Sequence, residues 1–194
     1  VTGYTTSDNF PTTAGIYQTD NSGSYDVFIS KLSSNLSQLL SSTYIGGSGG
    51  DYGLSISVNS ISDVDYVYVV GRSASTNFPT TNDAYQTSRA GSYDAFLSRF
   101  STDLITLYSS TYLGGSSSDY GEELFVSSSN VYITGRTTSN NFPTTNNAYQ
   151  TSEASSSYDA FVSSLSFDLT TLHSSTYLGG TSTEYCYGLT VDSN

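Results

Sequence analysis

Asp8-Asn9-Phe10-Pro11-Thr12-Thr13 returns 68 residues later as Thr76-Asn77-Phe78-Pro79-Thr80-Thr81, and 64 residues after that as Asn140-Asn141-Phe142-Pro143-Thr144-Thr145. Working outward, Tyr17-Gln18-Thr19 has counterparts in Tyr85-Gln86-Thr87 and Tyr149-Gln150-Thr151. Ser24-Tyr25-Asp26-Val27-Phe28 matches Ser92-Tyr93-Asp94-Ala95-Phe96 and Ser157-Tyr158-Asp159-Ala160-Phe161. Ser42-Thr43-Tyr44-Ile45-Gly46-Gly47 matches Ser110-Thr111-Tyr112-Leu113-Gly114-Gly115 and Ser175-Thr176-Tyr177-Leu178-Gly179-Gly180. Four blocks in one order, three times over, define a unit of about 65 residues, and such a period governs the fold. Repeats are placed at 1–68, 69–132 and 133–194.

Within a unit the hydrophobic pattern has period two and no helical periodicity. A first strand is read at Val67-Tyr68-Val69-Val70-Gly71-Arg72 and again at Val131-Tyr132-Ile133-Thr134-Gly135-Arg136. The Phe-Pro block that follows belongs to a loop of about twenty residues, because proline cannot donate to a sheet ladder. A second strand runs from Tyr25 to Leu32, with equivalents from Tyr93 to Phe100 and from Tyr158 to Leu165. Phe28 and Leu32 fall on one face of it, Val27 and Ile29 on the other. Apolar residues on both faces predict a sheet covered on both sides. A tight turn near Asn35, Asp103 and Asp168 leads to a third strand ending at Tyr44, Tyr112 and Tyr177. The glycine-rich turn then opens a fourth, in which Leu54, Ile56 and Val58 alternate with serines.

Four-stranded antiparallel sheets, apolar on both faces and repeated without intervening helices, are what β-propeller blades require. The predicted fold class is therefore all-β, a propeller-type architecture of three four-stranded antiparallel blades, closed on themselves or completed by neighbouring copies. The runs Val131 to Arg136, Asn141-Phe142-Pro143-Thr144-Thr145, Tyr158-Asp159-Ala160-Phe161-Val162 and Ser175 to Gly180 resemble the bacterial β-propeller repeat called SBBP. That resemblance covers essentially the whole chain and implies secreted or cell-surface proteins with tandem copies and no established catalytic residues. The departures are an insertion around Ser62-Asp63-Val64-Asp65 and an extra pair near Tyr185-Cys186.

The two ends are in phase. Leu189-Thr190-Val191-Asp192-Ser193-Asn194 occupies the phase of Leu124 through Asn130, and Val1-Thr2-Gly3-Tyr4 that of Ile133-Thr134-Gly135-Arg136. Three blades are fewer than a typical propeller holds, and naked apolar sheet faces are avoided by soluble monomers. Self-association with further copies of the repeat is the expected partnership, and an open head-to-tail contact propagates into a filament.

Composition narrows the function. Seventeen acidic residues face five basic ones in 194 residues, for a net charge of -12. Nucleic acid as a partner is excluded for want of clustered cations, and no apolar run is long enough to insert in a membrane as a helix. Eighteen tyrosines and nine phenylalanines argue for a packed β protein rather than a disordered one. The scarcity of Lys and Arg leaves few sites for trypsin-like proteases, which suits an extracellular or cell-surface location. No methionine occurs, which points to a processed chain or a piece of a longer one.

No catalytic residue and no cofactor is predicted. His173, the one histidine, replaces Leu40 and Tyr108 of the other repeats. Glu122 and Glu123 are adjacent, and neighbours on a strand point to opposite faces, so they do not form the paired carboxylates of a glycosidase. Asp26, Asp94 and Asp159 recur at a strand entrance, where a carboxylate can accept backbone N–H groups; calcium is the alternative occupant. Gly46 to Gly50 lacks the lysine and helix of a phosphate-binding loop. Asn35-Leu36-Ser37 is a glycosylation sequon, and Cys186, the single cysteine, is a candidate for an intermolecular disulfide. The expected role is that of a non-enzymatic structural unit of a surface fibre or adhesive scaffold. The rival is a propeller module that binds carbohydrate or protein.

Overall fold

The computed structural model describes residues 1–127 and 130–192, and within them the chain is all-β, with no helix. Ser193 and Asn194, the last of the residues read as continuing the repeat, lie outside the described residues. Eleven strands form three antiparallel sheets. Sheet I contains β1 (Thr2–Thr5), β2 (Asp26–Leu32) and β3 (Leu39–Ile45). Sheet II contains β4 (Asp51–Ile61), β5 (Val64–Ser73), β6 (Asp94–Ser101) and β7 (Leu107–Leu113). Sheet III contains β8 (Asp119–Val126), β9 (Val131–Thr137), β10 (Asp159–Leu165) and β11 (Leu172–Leu178).

Each sheet is a meander in sequence order. Sheets II and III have four strands; sheet I has three. The strand after the glycine turn opens the following sheet and does not close its own, so sheet breaks fall between β3 and β4 and between β7 and β8. The repeat boundaries at 68/69 and 132/133 consequently cut through β5 and β9. The insertion at Ser62 and Asp63 is a two-residue hairpin turn with both residues at positive φ, the conformation that matches strand twist.

The sheets stack in series, and the two faces of each strand serve different neighbours. Val27, Ile29 and Ile45 of sheet I pack against Val67, Val69, Phe96, Phe100 and Tyr112 of sheet II. On the other face of sheet II, Tyr68, Val70, Ala95, Leu97 and Leu113 meet Val131, Ile133, Phe161, Leu165 and Tyr177 of sheet III. The middle sheet is therefore apolar on both sides, as its sequence pattern requires. Buried serine pairs bridge the second and third strands of each sheet, Ser30 with Ser42, Ser98 with Ser110 and Ser163 with Ser175, all at 2.8 Å. Each hydroxyl thus meets a partner in a dry environment.

Candidate functional site

The recurrent polar residues build one network per repeat. In sheet II, Asp94 Oδ2 accepts hydrogen bonds from Gln86 Nε2 (2.7 Å) and the Ala90 N–H (2.9 Å), and Oδ1 accepts the Gly91 N–H (2.9 Å). Gln86 Oε1 accepts the Gly114 N–H at 3.0 Å. Tyr112 donates its hydroxyl to the Ser75 carbonyl at 2.6 Å, as Tyr44 and Tyr177 do to Ser7 and Ser139. Phe10, Phe78 and Phe142 lie over Phe28, Phe96 and Phe161 with ring centroids 4.3–4.5 Å apart. The Phe-Pro, Tyr-Gln-Thr, Tyr-Asp and Ser-Thr-Tyr blocks thus recur together because they hold the long loop onto its own sheet.

Asp26, Asp94 and Asp159 are buried, each accepting backbone N–H groups of the preceding loop. A cation would compete with donors at Oδ2 of all three and at Oδ1 of Asp94, whereas the buried Oδ1 atoms of Asp26 and Asp159 have no hydrogen-bond partner. Among the described residues no three ligating side chains gather. Burial pushes the Asp26 carboxyl up to about 6, with the nearby Asp51 charge adding to the rise. Asp94 and Asp159 are raised too, in both cases chiefly by burial. Asp119, behind the next glycine turn, is raised to about 6 by burial, against the hydrogen bonds it accepts from Thr137, the Gly115 N–H and Ser139.

The asymmetric residues are dispersed. Glu122 pairs with Arg136 at 2.7 Å, while Glu123 accepts a hydrogen bond from Ser55 of the preceding sheet. The residue pairing shifts between Gly121 and Glu123, so Glu122 is the extra residue of a bulge, and the two carboxylates have different partners. His173 is exposed on β11, Asn35 is exposed in the β2–β3 turn, and Cys186 is half-buried in a segment that carries no strand.

What the structure does assemble is a repeated seam, with its two halves left apart at opposite ends of the molecule. The turns between the second and third strands place Leu36, Leu104 and Leu169 at φ of 58°, 62° and 61°. Leu104 lies in the core between sheets I and II, where its carbonyl accepts the Tyr17 N–H at 3.1 Å; Leu169 does the same for Tyr85 at 3.0 Å. These leucines are 1% and 0% exposed, whereas Leu36 is 75% exposed. Conversely, Tyr17 and Tyr85 are each 37% exposed and Tyr149 is 85% exposed. On the same sheet, Leu178 is 51% exposed, although its counterparts Ile45 and Leu113 are fully buried. Leucine after Asn35, Asp103 and Asp168 was a repeat visible in the sequence; its role was not, since an exposed turn is the ordinary setting for that dipeptide.

A ladder of tyrosines crosses the sheets: Tyr4, Tyr52, Tyr93, Tyr120, Tyr158, Tyr185 and Tyr187 follow one another at centroid spacings of 4.7–6.3 Å. Arg72 lies between Tyr52 and Tyr120, at 4.5 and 4.6 Å. Arg136 lies between Tyr120 and Tyr185, at 4.7 and 5.0 Å, in the geometry of cation–π attraction.

Comparison with known families matches residues 110–143 to the SBBP family, described as a beta-propeller repeat. No curated protein matches the chain. The matched segment runs from β7 across the glycine turn, through β8 and β9, to the Phe-Pro block, and contains Tyr112, Asp119 and Phe142 of the contacts above. Residues 110–143 are thus similar to an SBBP beta-propeller repeat, in an all-β chain of three blade-like sheets.

Proposed function

We propose that this chain is a non-enzymatic structural unit of an extracellular or cell-surface fibre, assembled by end-to-end stacking of copies. The carrying observation is the separated seam. Leu36 has the left-handed backbone of Leu104 and Leu169, a conformation that costs a residue with a Cβ about 1–2 kcal/mol. Burying a leucine returns roughly 1.5–3 kcal/mol, and Leu36 is the one of the three whose side chain stays exposed. Stacking sheet I of one copy on sheet III of another sets Leu36 beneath Tyr149 and covers Leu178, repeating the two seams already present. The recurrent carboxylates and hydroxyls support a structural reading too, because they are engaged in fixing loops.

A second reading has one observation in its favour. Tyr132, Asn146, Tyr149, Val162 and His173 line an open groove on sheet III, and an exposed tyrosine beside amides suits carbohydrate. Electron microscopy and analytical ultracentrifugation of the purified chain separate the two. Filaments or concentration-dependent oligomers are expected; a 20.7 kDa monomer at high concentration that binds glycans would favour the module instead.

A further inference from the structure

Arg72 and Arg136 hold the same place in sheets II and III. Arg72 stands directly opposite Tyr52, and Arg136 directly opposite Tyr120. Two residues beyond each of these tyrosines the strand bulges, and the extra residue is Leu54 in β4 and Glu122 in β8. Each guanidinium lies over the tyrosine of its own opening strand, at 4.5 and 4.7 Å. The two settings therefore match in backbone and in aromatic partner, and they differ at the bulge.

That difference falls on the arginine's N–H groups. Glu122 brings a carboxylate to Arg136 at 2.7 Å, with the two side chains only 12% and 16% exposed. Leu54 has no acceptor to bring to Arg72. Among the described residues no carboxylate lies within ion-pair distance of Arg72, no oxygen accepts from its N–H groups, and its Nε is buried without a partner. Glu123 of sheet III, which reaches across to sheet II, is engaged by the Ser55 hydroxyl and the Leu124 N–H.

A charge withdrawn from water is costly unless it is paired and hydrogen-bonded. Tyr52 and Tyr120, at 4.5 and 4.6 Å, and Tyr93, at 5.7 Å, offset part of that cost for Arg72 through cation–π attraction. A π-face attracts the charge but gives an in-plane N–H no oxygen to donate to. The planar guanidinium fork fits a carboxylate edge to edge, as the Glu122 pair illustrates within this chain. Arg72 is partly exposed, so a small solute can reach it.

We infer that Arg72, flanked by Tyr52, Tyr93 and Tyr120, binds the carboxylate of an external ligand, which does for Arg72 what Glu122 does for Arg136. The site lies between sheets II and III of a single copy, so it goes beyond the stacking proposed above and does not depend on it. The net charge of -12 repels anions at long range. At physiological salt that repulsion is screened within about 8 Å, and contact with Arg72 decides recognition.

NMR spectra of the arginine Nε–H groups test this site. The probes are sodium acetate, sodium glucuronate and, as a neutral control, glucose, all at constant ionic strength. Both carboxylates should shift Arg72 saturably and leave Arg136 unmoved. Tighter binding of glucuronate than of acetate assigns the ligand to acidic sugars, and equal or weaker binding assigns it to small carboxylates at large. Leu54→Glu builds the Glu122 arrangement into sheet II and should weaken the Arg72 response by about tenfold or more. Leu54→Gln, which adds no charge, should retain it. Conversely, Glu122→Leu should give Arg136 a response like that of Arg72. Equal loss in both Leu54 variants, an undiminished response in Leu54→Glu, or no response of Arg136 in Glu122→Leu would overturn the inference. So would a shift of Arg72 by glucose as large as that by acetate, equal shifts at Arg89 and Arg99, or a wild-type Arg72 signal that ignores both carboxylates.

Discussion

The turns at Asp103-Leu104 and Asn35-Leu36 have the same backbone and opposite surroundings. Both leucines take the left-handed conformation, φ 62° and 58°; one is sealed between two sheets and the other is three-quarters exposed. Since Leu36 keeps its conformation without the packing, the turn is set locally. Asx side chains shape it: Asp103 accepts hydrogen bonds from Ser101 and the Ile105 N–H, and Asn35 from Ser33 and the Ser37 N–H. The turn therefore presents a leucine whether or not a neighbour is there to receive it. Such a pre-formed surface lowers the ordering cost of association.

The largest contrast should come from truncating these leucines. Leu104→Ala is expected to destabilise the chain by about 2–5 kcal/mol in urea unfolding, and Leu36→Ala by less than about 0.5 kcal/mol. Leu36→Gly relieves the left-handed backbone and should leave the single copy as stable or more so while weakening its association; a loss of stability like that of Leu104→Ala would erase the distinction between the two turns. Next in size, Tyr112→Phe deprives the buried Ser75 carbonyl of its donor and should cost roughly 1–3 kcal/mol. Tyr149→Phe, at the open end, should cost nothing measurable.

A contrast of another kind is a pH dependence. Asp26 and Asp119 are raised to about 6 from the 3.8 of an unfolded chain, and Asp51, Asp94 and Asp159 are raised as well. The folded state then holds protons more tightly than the unfolded one, so stability rises as pH falls from about 6 toward 4. Asp103 and Asp168 are lowered, chiefly by the hydroxyls of Ser101 and Ser166, so their contribution fades only below the usual carboxylate range. A melting temperature higher at pH 4.5 than at pH 7.5 is expected. The reverse order would mean that the buried carboxyls are ionised without penalty.

The strands and the doubly covered middle sheet were legible in the sequence because alternation and self-alignment report directly on period and burial. The assignment of the strand after the glycine turn was not. Periodicity locates Asp51–Ile61 but carries no information about which sheet it joins, which is settled by its pairing with Val64–Ser73 through the Ser62-Asp63 turn. Glu122 and Glu123 have different partners, and the bulge between Gly121 and Glu123 is a feature that alternation alone does not reveal. The exposed halves of the seam were hidden for a different reason. Leu36, Leu104 and Leu169 share one sequence context, and only their neighbours in space tell them apart. A sugar on Asn35, one residue from Leu36, would stand in the path of stacking, so the sequon and the seam make opposing demands on that turn.

Complementation in the ultracentrifuge tests end-to-end stacking most directly. Leu36→Asp disables the sheet I end and leaves the sheet III end, and Tyr149→Asp does the converse. Each variant alone should sediment as a monomer, and an equimolar mixture should form a dimer and nothing larger, since one intact seam remains between unlike copies. Filaments from either variant alone, or a mixture that stays monomeric while the wild type assembles, would contradict it.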